Sequence, residues 1–240
     1  MDTPVYVALT RQRGLTREMD VIANNIANAS TTGFRREGLV FSEHVKRSGQ
    51  PGEVLSMATA HGRTIDPRAG AITATGGTYD FAIEGEGYFL VETPDGQALT
   101  RAGHFTPNAE GELVTPEGNR LLDEGGGPVF VPAEARAVTL SPDGTLAADG
   151  TPLTRIGLWQ PADPGRSQLA GARLQIPEGG AEPVAEDAAR LLQGHLEGSN
   201  VNPISEIARM IAVQRAYEMG QSFLEMEDGR IRVVVQTLGR

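Results

Sequence analysis

Cysteine is absent from the 240-residue sequence, which excludes a disulfide framework and any chemistry that needs a thiolate, while leaving the compartment open. Long apolar runs are also missing, so no segment approaches the length of a membrane-spanning helix. The first turns of the chain carry Arg11, Arg13 and Arg17 where a secretory leader would have its apolar core. We therefore expect any export from the cytoplasm to proceed without a cleaved signal peptide.

Net charge is unevenly distributed along the chain. The sequence holds 31 acidic and 21 basic residues, for a formal charge of −10. Residues 81–193 hold 17 acidic and 7 basic residues, so this middle stretch alone accounts for the whole excess. An acidic middle disfavours nucleic acid as a partner, and the basic pair Arg35 and Arg36 is too small to bind a phosphate backbone. We expect a well-hydrated body between two nearly neutral ends.

The N-terminus has the periodicity of one long amphipathic helix. Steps of three and four residues meet apolar side chains at every position except Gln12. Thr3 and Pro4 suit an N-cap and a first helical position, and the polar run over residues 30–33 suits a helix end. The sequence therefore predicts a helix over residues 4–28.

The C-terminus predicts a second and longer helix, over residues 203–238. Asn202 and Pro203 suit its N-cap and first position, and no later proline interrupts it. Steps of three and four residues again follow an apolar stripe, which Gly220 and Glu227 interrupt. A helix of this length is far longer than the average globular helix, so we expect it to need a partner along its length.

The two predicted helices can satisfy their apolar stripes in two ways. They can pack on each other within one chain as a coiled-coil-like axial part, or they can pack against other copies. A single intrachain seam does not use Ile207, Ile211, Val233 and Val235, which fall beside it. The helices therefore have apolar surface left for neighbouring molecules.

The middle of the chain has the pattern of a β domain. Between residues 79 and 160, short apolar runs are separated by turn sequences rich in Pro, Asp and Gly. This spacing predicts antiparallel hairpins, and the alternation of Phe81 with Ile83 and of Val138 with Leu140 predicts strands with one buried face. We expect a mainly β middle domain, a barrel or sandwich of short antiparallel strands, flanked by the two long terminal helices.

The flanks of this middle are less clearly patterned. Residues 35–75 show no consistent periodicity, and residues 161–188 predict loops with one weak strand signal over residues 173–176. The expected division of the chain is an N-terminal axial helix and signature over residues 1–34, a connector over 35–75, a β-rich middle domain over 76–195, and a C-terminal axial helix over 196–240.

A search for catalytic, cofactor and metal motifs gives no site. The four histidines stand apart from one another, without an H-E-x-x-H or Cys/His pattern. The Gly85-Glu86-Gly87 sequence has Leu90 where a dinucleotide loop needs its third glycine. Glu84 and Glu86 could act as a glycosidase pair, but neighbouring glutamates around a glycine are better explained as solvated turn residues. We expect no catalytic residue, no cofactor and no metal ion.

Several motifs resemble those of a known family. The sequences ANNIAN at residues 23–28 and STTGFRR at residues 30–36 look like the N-terminal signature of bacterial flagellar rod and hook proteins. LEGSNVN at residues 196–202 and MIAVQRAYE at residues 210–218 look like the C-terminal signature of the same family. The middle resembles it as well, over residues 80–89, so the resemblance spans nearly the whole chain.

This resemblance implies a structural subunit of the flagellar basal-body rod, and not an enzyme. It implies export through the flagellar type III apparatus and assembly in the periplasm with other copies and with neighbouring rod proteins, without membrane insertion. Gly77, Tyr79 and Leu99 depart from the usual residues of the family, which affects local packing only. The short stretch between Phe41 and Gly70 is most like the proximal-rod members, with the distal-rod members as the alternative.

The terminal stripes and signatures together predict an assembly interface. Long helices that interdigitate along an axis give a stiff and distributed contact, which a torque-transmitting rod needs. The competing classes are a β-domain hydrolase or glycan-binding module with helical appendages, and a self-contained trimeric coiled-coil stalk. The residues expected at the assembly interface are Leu15, Met19, Ile22, Asn24, Asn25, Ile26, Asn28, Gly33, Phe34, Asn200, Val201, Ile207, Met210, Ile211, Val213, Gln214, Arg215, Tyr217, Leu224, Ile231, Val234 and Leu238.

Overall fold

The chain folds into two compact units. The computed structural model describes residues 3–47, 54–163, 168–176, 180–185 and 188–238. We use the name terminal unit for Met1–Ala27, Glu37–Asp66 and Asn202–Arg240, and the name β-rich unit for Asn28–Arg36 with Pro67–Val201. Each unit is therefore assembled from segments that are distant in the sequence.

Two long helices lie in the terminal unit, α1 (Thr3–Ala27) and α2 (Pro203–Leu238). Asn202 caps α2, because its Oδ1 accepts hydrogen bonds from the backbone N–H groups of Ile204 at 3.1 Å and Ser205 at 3.2 Å. Both predicted helices are confirmed, with every end at its expected position or one residue away. Neither helix, over the residues described, combines the length and the apolar character of a membrane span.

A long β-hairpin accompanies the helices in the terminal unit. Its strands, β1 (Glu37–Arg47) and β2 (Val54–Ile65), pair antiparallel along their length, with a register shift between Val40 and Phe41. A two-stranded ribbon alone is marginal in water, and here α1 contacts both strands. The sequence did not predict this hairpin, because apolar and polar residues do not alternate regularly along β1.

The β-rich unit is built from short antiparallel strands. The first of them are β3 (Ile72–Ala74), β4 (Phe81–Gly85), β5 (Tyr88–Thr93), β6 (Gly96–Thr100), β7 (Thr106–Pro107), β8 (Leu113–Val114), β9 (Arg120–Leu121) and β10 (Val138–Leu140). The others are β11 (Thr145–Ala148), β12 (Thr151–Arg155), β13 (Leu158–Pro161), β14 (Gln168–Ala170), β15 (Arg173–Gln175), β16 (Ala181–Pro183), β17 (Ala189–Gln193) and β18 (His195–Glu197).

The largest sheet of the described residues is open and not a barrel. Its order is β14-β15-β6-β5-β9-β8-β7, with β13 also beside β5 and β16 beside β13. The end strands β14 and β7 are not paired with each other, so the barrel that the sequence allowed is wrong. Closure needs strands long enough to stagger around a ring, whereas β7, β8 and β9 have two residues each.

The core of the β-rich unit is one apolar cluster to which most of the longer strands contribute. The ring centroids of Phe81 and Phe105 are 5.9 Å apart, and Phe89 meets Phe105 edge-on at 5.5 Å. Strand β10 alternates between buried and exposed positions as predicted. Strand β4 is buried at three consecutive positions, so both of its faces are covered at that end.

The stretch over residues 161–188 contains more structure than the expected loops. The weak strand signal over residues 173–176 is confirmed by β15. Strands β14 and β16 were not predicted, because three residues are too few to show a period of two. They pair with β15 and β13 and so extend the sheet on two sides.

Candidate functional site

Asn25, near the end of α1, is fully buried in the terminal unit. Its Oδ1 accepts the backbone N–H of Glu37 at 2.9 Å, and its Nδ2 donates to the backbone carbonyl of Glu37 at 2.9 Å. This reciprocal pair satisfies both backbone groups of the first residue of β1, as a neighbouring strand would. The Asn25 amide therefore fixes the start of β1 beside the end of α1.

Two buried carboxylates surround this amide. Asn25 Nδ2 also contacts Glu206 Oε2 at 3.3 Å, which ties α1 to the first turn of α2. Glu37 Oε2 accepts hydrogen bonds from Asn24 Nδ2 at 3.2 Å and from Arg63 Nη1 at 3.3 Å. Glu206 lies in the first helical turn, where a negative charge is favoured by the helix dipole. Neither Glu37 nor Glu206 was predicted from the sequence, where the available signal was an acidic residue in the first turn of a helix that begins with proline.

A second polar cluster lies in the β-rich unit and centres on Glu197, which is fully buried. Its Oε1 lies 2.6 Å from Arg35 Nη1 and accepts the backbone N–H of Gly70 at 2.9 Å. Its Oε2 lies 3.1 Å from Arg101 Nη1. The Arg101 guanidinium also donates to the carbonyl of Gly85 at 2.8 Å. One carboxylate thus joins three separate segments of the unit.

Burial lowers the pKa of Arg101 below its ordinary value, and the attraction of Glu197 offsets part of this effect. The Arg101 guanidinium also lies over the ring of Tyr88, with its central carbon 5.2 Å from the ring centroid. These contacts replace the water that an exposed arginine would have. Arg101 therefore acts as a structural cation inside the fold.

Gly33 permits the N-terminal signature to approach this cluster closely. Its backbone has φ +69°, and a Cβ at this position would lie 2.2 Å from the backbone nitrogen of Ala102. Its N–H donates to the carbonyl of Glu197 at 2.8 Å, and the next residue, Phe34, is fully buried. A side chain at position 33 would clash with backbone, so only glycine fits without a shift.

Asn200 holds the same segment from the C-terminal side. Its Oδ1 accepts the backbone N–H of Arg36 at 2.6 Å, and its Nδ2 donates to the carbonyl of Arg68 at 2.8 Å. Its own N–H donates to the carbonyl of Phe34 at 3.3 Å. The two terminal signatures that were recognised separately in the sequence are therefore in contact with each other.

The seam between α1 and α2 is partly polar. Glu18 of α1 accepts two hydrogen bonds from Arg209 of α2, with Nη2 at 2.7 Å from Oε1. Gln12 Nε2 donates to the backbone carbonyl of Tyr217 at 3.0 Å. Among the α2 side chains that the structure describes, Val213 is the most deeply buried apolar one. The seam therefore specifies how the helices align, in addition to burying apolar surface.

The opposite face of α2 exposes large apolar side chains that lie between polar ones such as Arg215 and Glu218. At 3.6 residues per turn, these apolar residues lie within about 60° of the direction opposite Val213. Ile204 and Ile211, for example, are 79% and 45% exposed. We call this set the outer stripe, and it consists of Ile204, Ile207, Ile211, Met219, Met226 and Val233.

The residues expected at the assembly interface occupy three environments. Six are buried in the chain: Ile22, Asn25, Gly33, Phe34, Val201 and Val213. Nine are half-buried: Leu15, Met19, Asn24, Ile26, Asn28, Asn200, Met210, Tyr217 and Leu224. Five are exposed: Ile207, Ile211, Gln214, Arg215 and Ile231. The side chains of Val234 and Leu238 lie outside those described.

The candidates for chemistry in the β-rich unit do not converge. Glu84 and Glu86 are both exposed. His104 Nδ1 lies 2.6 Å from Asp80 Oδ1, and Thr75 donates to the other carboxylate oxygen at 2.5 Å. Burial alone would raise the pKa of Asp80, but the hydrogen bonds from Thr75 and His104 and the charge of the ring outweigh it and lower that pKa. Within the described part of the chain, no group of three or more His, Asp or Glu could hold a metal ion.

Three family models match the chain. They are the flagella basal body rod protein over residues 6–35, the flagellar hook protein FlgE/F/G D1 domain over residues 82–148, and the flagellar basal body rod FlgEFG protein C-terminal region over residues 192–237. The whole chain is 39% identical to the flagellar basal-body rod protein FlgF of Caulobacter vibrioides, of which it covers 99%. The chain belongs to the flagellar basal-body rod protein family. The resemblance inferred from its motifs is confirmed.

Further relatives place the chain within this family. It is 36% identical over its full length to FlgF of Mesorhizobium japonicum and covers 99% of that protein. It is 28% identical to the rod protein FlgG of Bacillus subtilis, with 96% of this chain and 97% of that protein covered. The chain is therefore most like the proteins named FlgF. Since these relatives are basal-body rod proteins, the expectation that the chain is not an enzyme is confirmed as well.

The polar clusters connect the three matched regions. Arg35, Arg101 and Glu197 come from the first, second and third region, respectively, and their side chains meet in one place. Asn25 and Glu206 likewise join the first and third regions. Residues of all three matched regions thus hold distant segments of the chain together.

Proposed function

We propose that the chain is a structural subunit of the flagellar basal-body rod, which assembles through its terminal helices. The observation that carries this proposal is the outer stripe of α2. Six large apolar side chains exposed on one face of a long helix, with polar residues between them, are typical of a protein interface. In a rod, the occupants are other copies of the chain and neighbouring rod proteins.

The geometry of a helix suits this role. An interface on one side of α2 that contacts a different surface of the next molecule is heterologous, and repetition of such a contact generates a helical array. The coiled-coil-like packing that the sequence suggests would spread the load over many side chains, as torque transmission requires. The exposed members of the expected interface, Ile207 and Ile211 among them, are the side chains available for these contacts.

We place the subunit in the proximal rod, with the distal rod as the alternative. The support is the degree of similarity, since the first relatives named FlgF are 34–39% identical over the full chain, whereas the first relatives named FlgG are 28–31% identical. The expected division into an axial part at both ends, a connector over residues 35–75 and an acidic middle over residues 76–195 belongs to the same proposal.

The proposed location is the periplasmic part of the basal body. The route is the flagellar type III apparatus, which reads the N-terminus without cleaving it. The support for this route is membership of the flagellar basal-body rod protein family. The absence of cysteine also suits export of an unfolded chain, since no disulfide can lock it early.

Replacement of Ile211 by Asp tests the assembly proposal. We expect Ile211→Asp to abolish incorporation into isolated basal bodies and swimming in soft agar, because a charge in the outer stripe would have to be desolvated at each contact. The melting temperature of the purified protein should stay unchanged, since the side chain is already 45% exposed.

The matched control is Phe130→Asp in the β-rich unit, where the side chain is 48% exposed. This variant should assemble and support swimming. Normal incorporation of Ile211→Asp would contradict the role of the outer stripe. Loss of incorporation in both variants would show that the assay responds to any exposed apolar residue.

A further inference from the structure

The β-rich unit buries two positive charges against one negative charge. The side chains of Arg35 and Arg101 are 2% and 5% exposed, and Glu197 is fully buried. Among the ion pairs of the described residues, Glu197 is the carboxylate that both guanidinium groups share. Removal of one partner from a buried pair leaves the other charge without water and without compensation, which is strongly unfavourable. Both arginines therefore depend on Glu197 to remain buried.

The segment after the N-terminal turn is held mainly by the residues that surround Glu197. The N–H of Gly33 donates to the Glu197 carbonyl at 2.8 Å, and the N–H of Asn200 donates to the Phe34 carbonyl at 3.3 Å. Asn200 Oδ1 accepts the N–H of Arg36 at 2.6 Å. The N-terminal signature is thus docked on the short stretch over residues 197–200 of the same unit.

The apolar core of the unit does not include these groups. Its buried members lie between Phe81 and Leu191 in the sequence. Neither Glu197 nor any residue of the N-terminal signature belongs to this cluster. A unit with a closed core and an undocked signature is therefore a physically reasonable state, of the kind seen when a protein opens locally.

We infer that Glu197 is a latch that controls docking of residues 28–36 on the β-rich unit, while the core of that unit is stable without it. The latch residue follows Arg35 by 162 positions (197 − 35). A chain that is made or exported from its N-terminus therefore presents both arginines before their partner. Docking of the N-terminal signature is therefore the last step in forming the unit, because it requires Glu197 of the C-terminal signature.

Glu197→Gln in the full-length protein tests the latch, because the amide keeps the shape of the side chain and removes its charge. We measure amide hydrogen exchange by mass spectrometry in peptides from residues 28–36 and from residues 138–148, which belong to the core and contain no partner of Arg101. Exchange in residues 28–36 should accelerate on the order of a hundredfold, because the buried charges lose their compensation. Exchange in residues 138–148 should stay within about twofold of the wild type. The emission of Trp159, the single tryptophan, should not change.

Two further variants separate the latch from a general loss of stability. Arg35→Gln removes one ion pair of residues 28–36 but leaves Glu197 paired with Arg101, so it should release residues 28–36 less than Glu197→Gln does. Glu112→Gln removes a half-buried carboxylate elsewhere in the unit and should leave them protected. Wild-type protection of residues 28–36 in Glu197→Gln would overturn the inference. Equal acceleration in both peptides would overturn it too, since the core would then depend on Glu197.

Discussion

Gln12 of α1 fills the space that Gly220 leaves in the surface of α2. A Cβ at position 220 would lie 2.7 Å from Gln12 Nε2, while the same nitrogen donates to the Tyr217 carbonyl at 3.0 Å. Gln12, which interrupts the apolar stripe of α1, and Gly220, which with Glu227 interrupts that of α2, are therefore in contact with each other. Their fit sets the alignment of the helices, because the glutamine has room only where the glycine lies.

Gly220→Ala should stabilise a Gln12→Ala variant more than it stabilises the wild-type protein. With Gln12 present, the new methyl group must displace the end of this flexible side chain, and the loss of its hydrogen bond to Tyr217 costs about 0.5–1.5 kcal/mol in the free energy of unfolding. With Gln12→Ala the space is empty, and the better helix propensity of alanine contributes about 1 kcal/mol. Thermal or denaturant unfolding of the four proteins in a double-mutant cycle measures this difference. The same effect of Gly220→Ala in both backgrounds would mean that the two residues are not coupled.

Gly33→Ala should cost at least about 2 kcal/mol in the free energy of unfolding, since it combines a left-handed backbone with a clash against the backbone of residues 101 and 102. Gly76 provides a matched control, because its φ of +71° is nearly that of Gly33 while no atom lies within 4 Å of the added Cβ. Gly76→Ala should show the backbone cost alone, about 1–2 kcal/mol. Equal losses in urea denaturation would show that the close approach at Gly33 contributes nothing.

Asn25→Asp should be more destabilising than Asn25→Ala, although aspartate has nearly the shape of asparagine. The aspartate would lose the donor that reaches Glu206 and would bring a further negative charge beside Glu37 and Glu206 in a buried place. We expect a loss of about 3–5 kcal/mol for Asp and about 1–3 kcal/mol for Ala. Chemical denaturation at neutral pH measures both. Better tolerance of Asp than of Ala would exclude a repulsive carboxylate pair at this position.

Asp80 should make the stability of the protein fall at acid pH. Its pKa in the folded state is below the ordinary value of 3.8, so its contribution is fully present above that value and is lost as the pH falls below it. Asp80→Asn should therefore flatten the decline in the free energy of unfolding below about pH 4. The exposed Asp95→Asn variant should keep the wild-type slope. An unchanged slope in Asp80→Asn would remove Asp80 from the groups that set acid stability.

The two helices, and the lack of a metal-ligand pattern around the histidines, were predictable because these signals are local in the sequence. Asn202 and Pro203 fix the start of α2 within three residues of sequence, and the structure shows the expected cap. The isolation of the histidines from any metal-ligand pattern also needs no knowledge of the fold. By contrast, the barrel was wrong because closure depends on the length and stagger of strands, which short apolar runs do not specify.

The polar clusters were not predictable because their members are distant in sequence. Arg35 was interpreted as part of a solvated basic pair, and Glu197 was one of many acidic residues. Nothing near either residue indicates that the fold brings both inside. Gln12 and Gly220 were each noticed as interruptions of a stripe, yet their contact depends on helix alignment, which a single sequence does not give. Burial of charge is a property of the fold, and residue type alone favours the surface.

The register shift between Val40 and Phe41 makes the two halves of the β1–β2 hairpin separable. From Glu37 opposite Ile65 to Val40 opposite Gly62, the pairing is regular. His61 is then skipped, so that pairing resumes with Phe41 opposite Ala60 and the outer pairs are offset by one residue. One residue added to each strand beyond the shift would lengthen the ribbon by one pair and leave Glu37 and Arg63 where they are. The reach of this hairpin can therefore change in evolution, while its anchored base keeps the same geometry.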